Sequence, residues 1–307
     1  MMERKRTAAM GHLSALAAIL IWGSTYISTK TLLIDFRPLE ILMLRFSIGF
    51  VTLFLMHPRA VRTKSWKEEM LFALAGLCGV TLYFLLESIA LTYTLASNVG
   101  VIVSMAPFFT AVLSHFMLRG ERFRPQFFLG FVVALTGIFL IGYNANEVLR
   151  LNPLGDVLAL LAALAFALYS VLMRKITSFG YHTIGCTRRV FLYGLLFMVP
   201  AAFQMDFSPD LQRILNGANL FHLLFLGLFA SALCFAIWNW AVGVLGAVKT
   251  TLYIYIVPVV TILAAATVLH ETVTPLALLG AFLALAGMFI AEHRPARQSA
   301  REAAGLP

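Results

Sequence analysis

The sequence predicts an all-α membrane protein: ten transmembrane helices arranged as two inverted five-helix repeats, with both termini cytoplasmic. Three observations predict it. Of 307 residues, 61% are hydrophobic and 12% charged, against about half and about a quarter in a soluble domain. The apolar residues fall into ten runs of roughly the 20 residues that a bilayer span requires. The cations gather in alternate intervals between those runs, the pattern of the positive-inside bias.

The runs lie at about 11–30, 38–57, 69–92, 97–117, 126–143, 154–173, 183–204, 220–243, 248–269 and 275–292. The first follows a basic start, Arg4-Lys5-Arg6, but it is too long for a signal-peptide core and no small-residue cleavage pattern interrupts it, so it reads as a helix that stays. Long continuous runs select helices over the short alternating strands of a membrane barrel. With the N-terminus inside, the cytoplasmic intervals hold fifteen cations: Arg4, Lys5, Arg6, Arg59, Arg62, Lys64, Lys67, Arg119, Arg122, Arg124, Arg174, Lys175, Arg294, Arg297 and Arg301. The outer intervals hold Arg37, Arg150 and Arg213. The expected division is a first repeat over 11–143, a second over 154–292, and cytoplasmic tails at 1–10 and 293–307.

The net charge of +9 does not imply nucleic acid, because the cations flank apolar runs and form no single basic surface. Cys78, Cys186 and Cys234 lie inside apolar segments without metal-ligand spacing and read as small buried hydrophobes. No metal site and no cofactor are expected.

The two halves superpose as sequences. At an offset of 144, Gly11, Ala15, Ala18, Lys30 and Arg45 meet Gly155, Ala159, Ala162, Arg174 and Arg189. At 151, Gly76, Leu82, Phe84, Pro107 and Thr110 meet Gly227, Leu233, Phe235, Pro258 and Thr261. At 150, Glu121, Pro125, Gly130 and Gly137 meet Glu271, Pro275, Gly280 and Gly287. Five spans is an odd number, so the second copy enters the membrane from the opposite side. Inverted repeats of this kind place a substrate site near midplane between the halves. Gly130/Gly137 and Gly280/Gly287 each lie two turns apart on one helix face, suited to close packing within the monomer or across a dimer.

On these marks the chain resembles the drug/metabolite transporter superfamily, in its ten-helix form with two EamA-like repeats. The resemblance covers about 11–292. It is carried by Trp22-Gly23-Ser24-Thr25-Tyr26, Arg45-Phe46, Met105-Ala106-Pro107 and Arg119-Gly120-Glu121 with Pro125. The second copy contributes Gly155-Asp156, Val257-Pro258-Val259 and His270-Glu271 with Pro275. It implies a secondary transporter of small organic metabolites, similar to bacterial inner-membrane exporters of amino acids and related compounds. Nucleotide-sugar, sugar-phosphate and drug carriers share the superfamily. The first helix lacks the carboxylate that small multidrug members use there, which argues against their cation exchange.

Ionisable groups inside a span cost ~2.5–3.5 kcal/mol at its centre and need a partner, a wet cavity or a task. Glu87 is the carboxylate set well inside a span, with Tyr83 one turn before it. It suits a substrate ammonium or a proton, or a structural pairing with a cation. The repeat puts Trp238 at its place. Lys249, with Tyr253 one turn on, suits a substrate carboxylate or phosphate, or snorkels to the cytoplasmic interface. For Arg45 and Arg189 a structural role joining helix ends is expected, whereas Arg188 is the candidate for the cavity. Lys30 and Arg174 read as interfacial anchors.

Trp22, Tyr26, Trp238 and Asn239 join flat rings to polar handles at span depth, and Trp238 continues a stripe from Ser231 and Cys234. Such a surface suits an amphipathic substrate and is equally at home in a packed core. Asn98 either lines the cavity or caps its helix. Pro107 and Pro258 each remove a backbone donor mid-span, kinking equivalent helices.

No HExxH, paired intramembrane aspartates, GxSxG or nucleotide-binding loop supports an enzyme, and no filter motif supports a channel. The expected partners are a small-molecule substrate and the lipid bilayer, with the protein a monomer or homodimer. Proton antiport, exchange and facilitated diffusion all remain open.

Overall fold

A bilayer leaves backbone N–H and C=O groups no partner but one another, so apolar runs of this length become helices. The computed structural model describes residues 2–93, 96–118, 125–143, 152–204, 207–208, 210–260, 263 and 274–292. Among these residues there is no strand. Seven helices are long and apolar enough to cross a membrane by length and composition, and three shorter apolar helices complete the ten expected runs.

The first repeat contains α1 (Met2–Leu32) and α2 (Pro38–Met56). It continues with α3 (Trp66–Gly76, Leu77–Leu82, Tyr83–Tyr93), α4 (Ala96–Val103, Ala106–Met117) and α5 (Pro125–Tyr143). The second contains α6 (Pro153–Thr177), α7 (Thr183–Gln204) and α8 (Gly217–Leu224, Phe225–Leu233, Cys234–Leu245). It ends with α9 (Ala247–Thr251, Leu252–Ile256, then Val257 to Val260) and α10 (Pro275–Glu292). The segment expected as an N-terminal tail is helical from Met2, as an unbroken Lys/Arg/Ala-rich lead into an apolar helix permits. Local chemistry sets the helix starts. Pro38 opens α2, whose Glu40 accepts from the Arg37 N–H at 2.8 Å, and Asn152 caps α6 with Pro153 behind it.

The repeats interleave. Each third helix packs against the first helix of the other repeat, α3 on α6 and α8 on α1. The second helices follow the same rule, α2 on α8 and α7 on α3. Glycines permit these approaches: a Cβ on Gly76 would meet Val190 O at 2.6 Å, and one on Gly227 would meet Ile48 at 2.5 Å.

The final helices form a seam. A Cβ added to Gly130 would lie 2.5 Å from Gly287 O, and one on Gly137 would lie 2.4 Å from Gly280 O. Gly280 faces Gly137 O and Gly287 faces Gly130 O in return. Rising numbers on α5 meet falling numbers on α10, so the two helices run antiparallel, as equivalent members of inverted copies must. Of the two uses open to these glycines, this one is packing within the monomer.

Regular α-helix is broken at matching places. A π-helical stretch occupies Leu77–Leu82 in α3 and another Phe225–Leu233 in α8, and residues 77–82 plus 151 are residues 228–233. Such wide turns inside α-helices mark functional sites. Beside Pro107, α4 breaks at Ser104–Met105, and before Pro258, α9 tightens into a 3-10 turn over Leu252–Ile256. The paired kinks expected at the prolines therefore stand one turn ahead of them. The Arg119-Gly120-Glu121 and His270-Glu271 marks lie outside the described residues.

Candidate functional site

Aromatic side chains of the opposite repeat pack on both wide turns. Trp22 of α1 donates its Nε1–H to Ala230 O inside the α8 stretch at 2.9 Å. In the other direction Tyr169 of α6, three residues beyond the repeat match of Trp22, lays its ring on Gly79 of the α3 stretch, where a Cβ would come within 2.2 Å. Ala230 and Gly79 are equivalent at the offset of 151. Thr81, also in the α3 stretch, donates to Gly194 O of α7 at 2.8 Å.

Around this junction six rings close a circuit. Tyr83 meets Phe84 at 4.8 Å, Phe84 meets Phe235 at 6.5 Å, and Phe235 meets Trp22 at 5.4 Å between centroids. Trp22 meets Trp238 at 5.1 Å, Trp238 meets Phe166 at 6.1 Å, and Phe166 returns to Tyr83 at 5.2 Å. The spacings and tilts suit the ring quadrupole. The circuit draws on α1 and α3 from one copy and α6 and α8 from the other. Trp22 matches Phe166, and Phe84 matches Phe235. The symmetry breaks at Tyr83, which matches Cys234, and at Trp238, which matches Glu87.

Polar groups border the circuit. Tyr83 OH donates to Glu87 Oε1 at 3.3 Å, and Glu87 is half-buried. Arg45 of α2 lies 6% exposed, its Nε donating to Ser231 Oγ at 3.0 Å and its guanidinium carbon 5.2 Å from the Phe84 centroid. Trp238 Nε1 is buried without a hydrogen-bond acceptor among the described residues. Asn239 is fully engaged: its Oδ1 accepts from Tyr169 OH at 2.6 Å and its Nδ2 donates to Thr187 Oγ1 at 3.0 Å, tying α6, α7 and α8 together.

The other expected residues are placed elsewhere. Arg188 stands near the start of α7, away from the circuit. It donates to His57 O at 2.5 Å and Arg59 O at 2.9 Å, closing the carbonyls that follow α2. Arg189 beside it holds Glu69 with two bonds, Nε to Oε1 at 2.8 Å and an Nη to Oε2 at 2.6 Å, and Tyr193 OH joins the same carboxylate. Tyr253 shares a 2.7 Å hydrogen bond with His12 Nδ1 of α1, and Lys249 is half-buried in the first part of α9, three residues before the 3-10 turn begins. Arg174 donates to Gly243 O. Tyr26 and Asn98 sit on helices, but their side chains lie outside the described residues.

At the same face His57 and His182 stack at 4.2 Å with planes 13° apart, and Tyr181 OH donates to Glu68 Oε2 at 2.6 Å. Burial, then His182, Arg188 and Arg59, hold the His57 imidazole below its ordinary pKa. The carboxylate of Glu68 pushes the Tyr181 phenol up. On the opposite face Asn219 donates to Asp35 at 2.7 Å and Arg213 to Asp35 O at 2.8 Å. Ser208 N there donates to the buried Glu40 at 3.2 Å.

Sequence reading singled out Trp22, Tyr83, Glu87 and Trp238, and the structure brings these four together. It missed Arg45 as a neighbour of Glu87, and Phe84, Phe166 and Phe235 as the rest of the circuit. Their signal was present in the Phe84/Phe235 match.

Comparison with known proteins gives a consistent set. The EamA-like transporter family matches residues 9–143 and again 153–291. An uncharacterized transporter of Archaeoglobus fulgidus is 25% identical over 91% of this chain and 96% of its own. The uncharacterized transporter YoaV of Bacillus subtilis is 25% identical over 91% and 95%. A probable terminal-alkyne amino-acid exporter of Streptantibioticus cattleyicolor is 24% identical over 90% and 91%. A crystal structure of a protein 20% identical in sequence superposes with a TM-score of 0.75 over 92% of this chain and 96% of that one, a likeness of fold.

Proposed function

The chain belongs to the EamA-like transporter family and is a multi-pass membrane protein, and from that premise we propose that it exports amino acids or closely related small metabolites. It works as a secondary carrier of the inner membrane, with both termini cytoplasmic and repeats at 11–143 and 154–292. The observation that carries the reading is the aromatic circuit. It is assembled from both copies, and it carries at its edge a carboxylate, a guanidinium and an indole N–H that finds no acceptor among the described residues. Such a mixture of flat apolar area and a few polar groups is what a small amphipathic solute requires. The name of one relative, an amino-acid exporter, supports the same class.

Alternating access follows from the two faces. His57, Arg188 and Glu69 tie the copies at one end, and Asp35, Arg213 and Glu40 tie them at the other. Rocking one half against the other releases one set while the opposite set closes, exposing the circuit to each side in turn. Tyr83 and Glu87 are the substrate-side pair, Trp22 and Trp238 the apolar wall, while Asn239 and Arg188 hold helices in place. Counterflow of labelled amino acids into proteoliposomes tests the reading: saturable uptake driven by trapped unlabelled solute is expected. Non-saturating flux without counterflow would overturn it.

A further inference from the structure

Arg45 and Glu87 project from adjacent helices of the first repeat and border the same pair of rings: the guanidinium carbon lies 5.2 Å from the Phe84 centroid, and Tyr83, whose ring is 4.8 Å from Phe84, donates to Glu87. They do not form an ion pair. Ser231 holds the guanidinium by its Nε, and the Phe84 ring lies against its face. The terminal Nη groups donate to none of the described residues. Tyr83 steadies Glu87 through one long bond to Oε1, and Oε2 accepts from none of the described residues.

Taking a charge out of water costs several kcal/mol, so buried ions that can reach each other usually collapse together. Here serine, tyrosine and phenylalanine keep them apart. What remains is an anion site and a cation site side by side, each with open valence, next to apolar rings.

We infer that this split pair is a receptor for a zwitterion, which deepens the amino-acid reading above and rests on it. The two Nη groups of Arg45 take the α-carboxylate as a planar two-bond pair. Glu87 Oε2 takes the α-ammonium, whose positive charge also faces the Tyr83 and Phe84 rings. The side chain then points into the circuit of Trp22, Phe166 and Trp238, so the favoured solutes have large apolar or aromatic side chains. A simple organic cation meets Arg45 as a repelling charge, and a sugar phosphate meets Glu87.

The test is counterflow with full-length protein in proteoliposomes, comparing phenylalanine, phenethylamine (no carboxylate) and 3-phenylpropionate (no ammonium). Wild type is expected to exchange phenylalanine at least tenfold faster than either analogue. Glu87→Gln is expected to lose at least tenfold on phenylalanine and to narrow the gap to phenylpropionate. Arg45→Gln is expected to lose as much and to narrow the gap to phenethylamine. Arg45→Lys, which keeps the charge and loses the two-bond geometry, serves if the glutamine variant does not fold: it slows phenylalanine but keeps both analogues excluded.

Wild type exchanging all three equally would overturn the zwitterion receptor while leaving the carrier reading intact. So would folded variants with unchanged phenylalanine counterflow. Wild type that exchanges no amino acid of any kind, but does exchange another solute class, would overturn the substrate reading itself.

Discussion

Arg45 and Arg189 occupy the same place in two copies of one helix, and their surroundings have diverged. Arg189 is bolted down: both oxygens of Glu69, Val61 O and the Phe72 face absorb its guanidinium at the membrane edge. Arg45 has a serine on one nitrogen, a ring on its face and a carboxylate nearby that it does not touch. The residue that replaces Glu87 in the second copy is Trp238, which supplies apolar area and an N–H that finds no acceptor among the described residues. Duplication provides the frame twice. Where the copies agree, as at the glycine seam, the residues hold the fold. Where they differ, at Arg45/Arg189 and Glu87/Trp238, the proposed receptor takes its two charges from the first copy, while Arg189 of the second is engaged with Glu69.

The comparison breaks most directly at Glu87. Glu87→Gln should abolish or reduce transport at least tenfold with folded protein still recovered, whereas Trp238→Phe should fold and keep partial counterflow. Equal transport loss without unfolding at both positions would mean that the copies share the task. The seam should behave in the opposite way, symmetrically. Gly137→Ala and Gly280→Ala each push a methyl toward the partner backbone, and each should cost about 1–3 kcal/mol. Thermal unfolding in detergent should show matching losses, and a cost at one position alone would mean that the seam is not a true two-fold contact.

Arg189→Gln removes charge-assisted bonds to a carboxylate that is itself mostly buried, and should cost about 1.5–3 kcal/mol. Counterflow per folded molecule should hardly change, in contrast to Arg45→Gln, and the two together sharpen the division between brace and binder. Trp22→Phe keeps the ring but forfeits the bond to Ala230 O, a loss of about 1 kcal/mol read as a lower Tm.

The smallest effect concerns His57. Its folded pKa lies below the ordinary 6.5, so the contact that His57 makes with His182 and Arg188 prefers the neutral ring. The stabilisation it gives is complete above 6.5 and drains away as pH falls from there through the lowered folded value. Labelling of a cysteine placed at Pro58 should therefore speed up between pH 7.5 and 5.5, and His57→Gln should flatten that dependence. Pro58 is exposed, which makes the readout local.

Much of this was legible in the sequence. Ten runs could be counted because lipid demands continuous apolar length, and duplication could be read because prolines and glycines are rarely matched by chance at constant offset. Glu87 and its aromatic neighbours stood out because a carboxylate in a span is costly. The phase of α7 was not legible. Arg188 and Arg189 are one residue apart, about 100° around the helix, and an apolar sequence does not say which faces the interior. Neither does, because both reach the loop after α2, while Arg45, expected like Arg189 to join helix ends, borders the same rings as Glu87. The π-helical stretches were also invisible, since no residue type favours them. The Gly76/Gly227 and Leu82/Leu233 matches bracketed the shared stretch without revealing it.

The seam between α5 and α10 also bears on how the protein is made. The chain leaves the ribosome in order, so α5 enters the membrane some 150 residues before the partner that its glycine face was shaped for. Throughout that interval Gly130 and Gly137 lack the partner backbone they approach in the folded chain, which α10 supplies. Closure of the seam therefore waits on synthesis of α10. A chain truncated before α10 should carry an exposed, recognisable defect into the hands of membrane proteases.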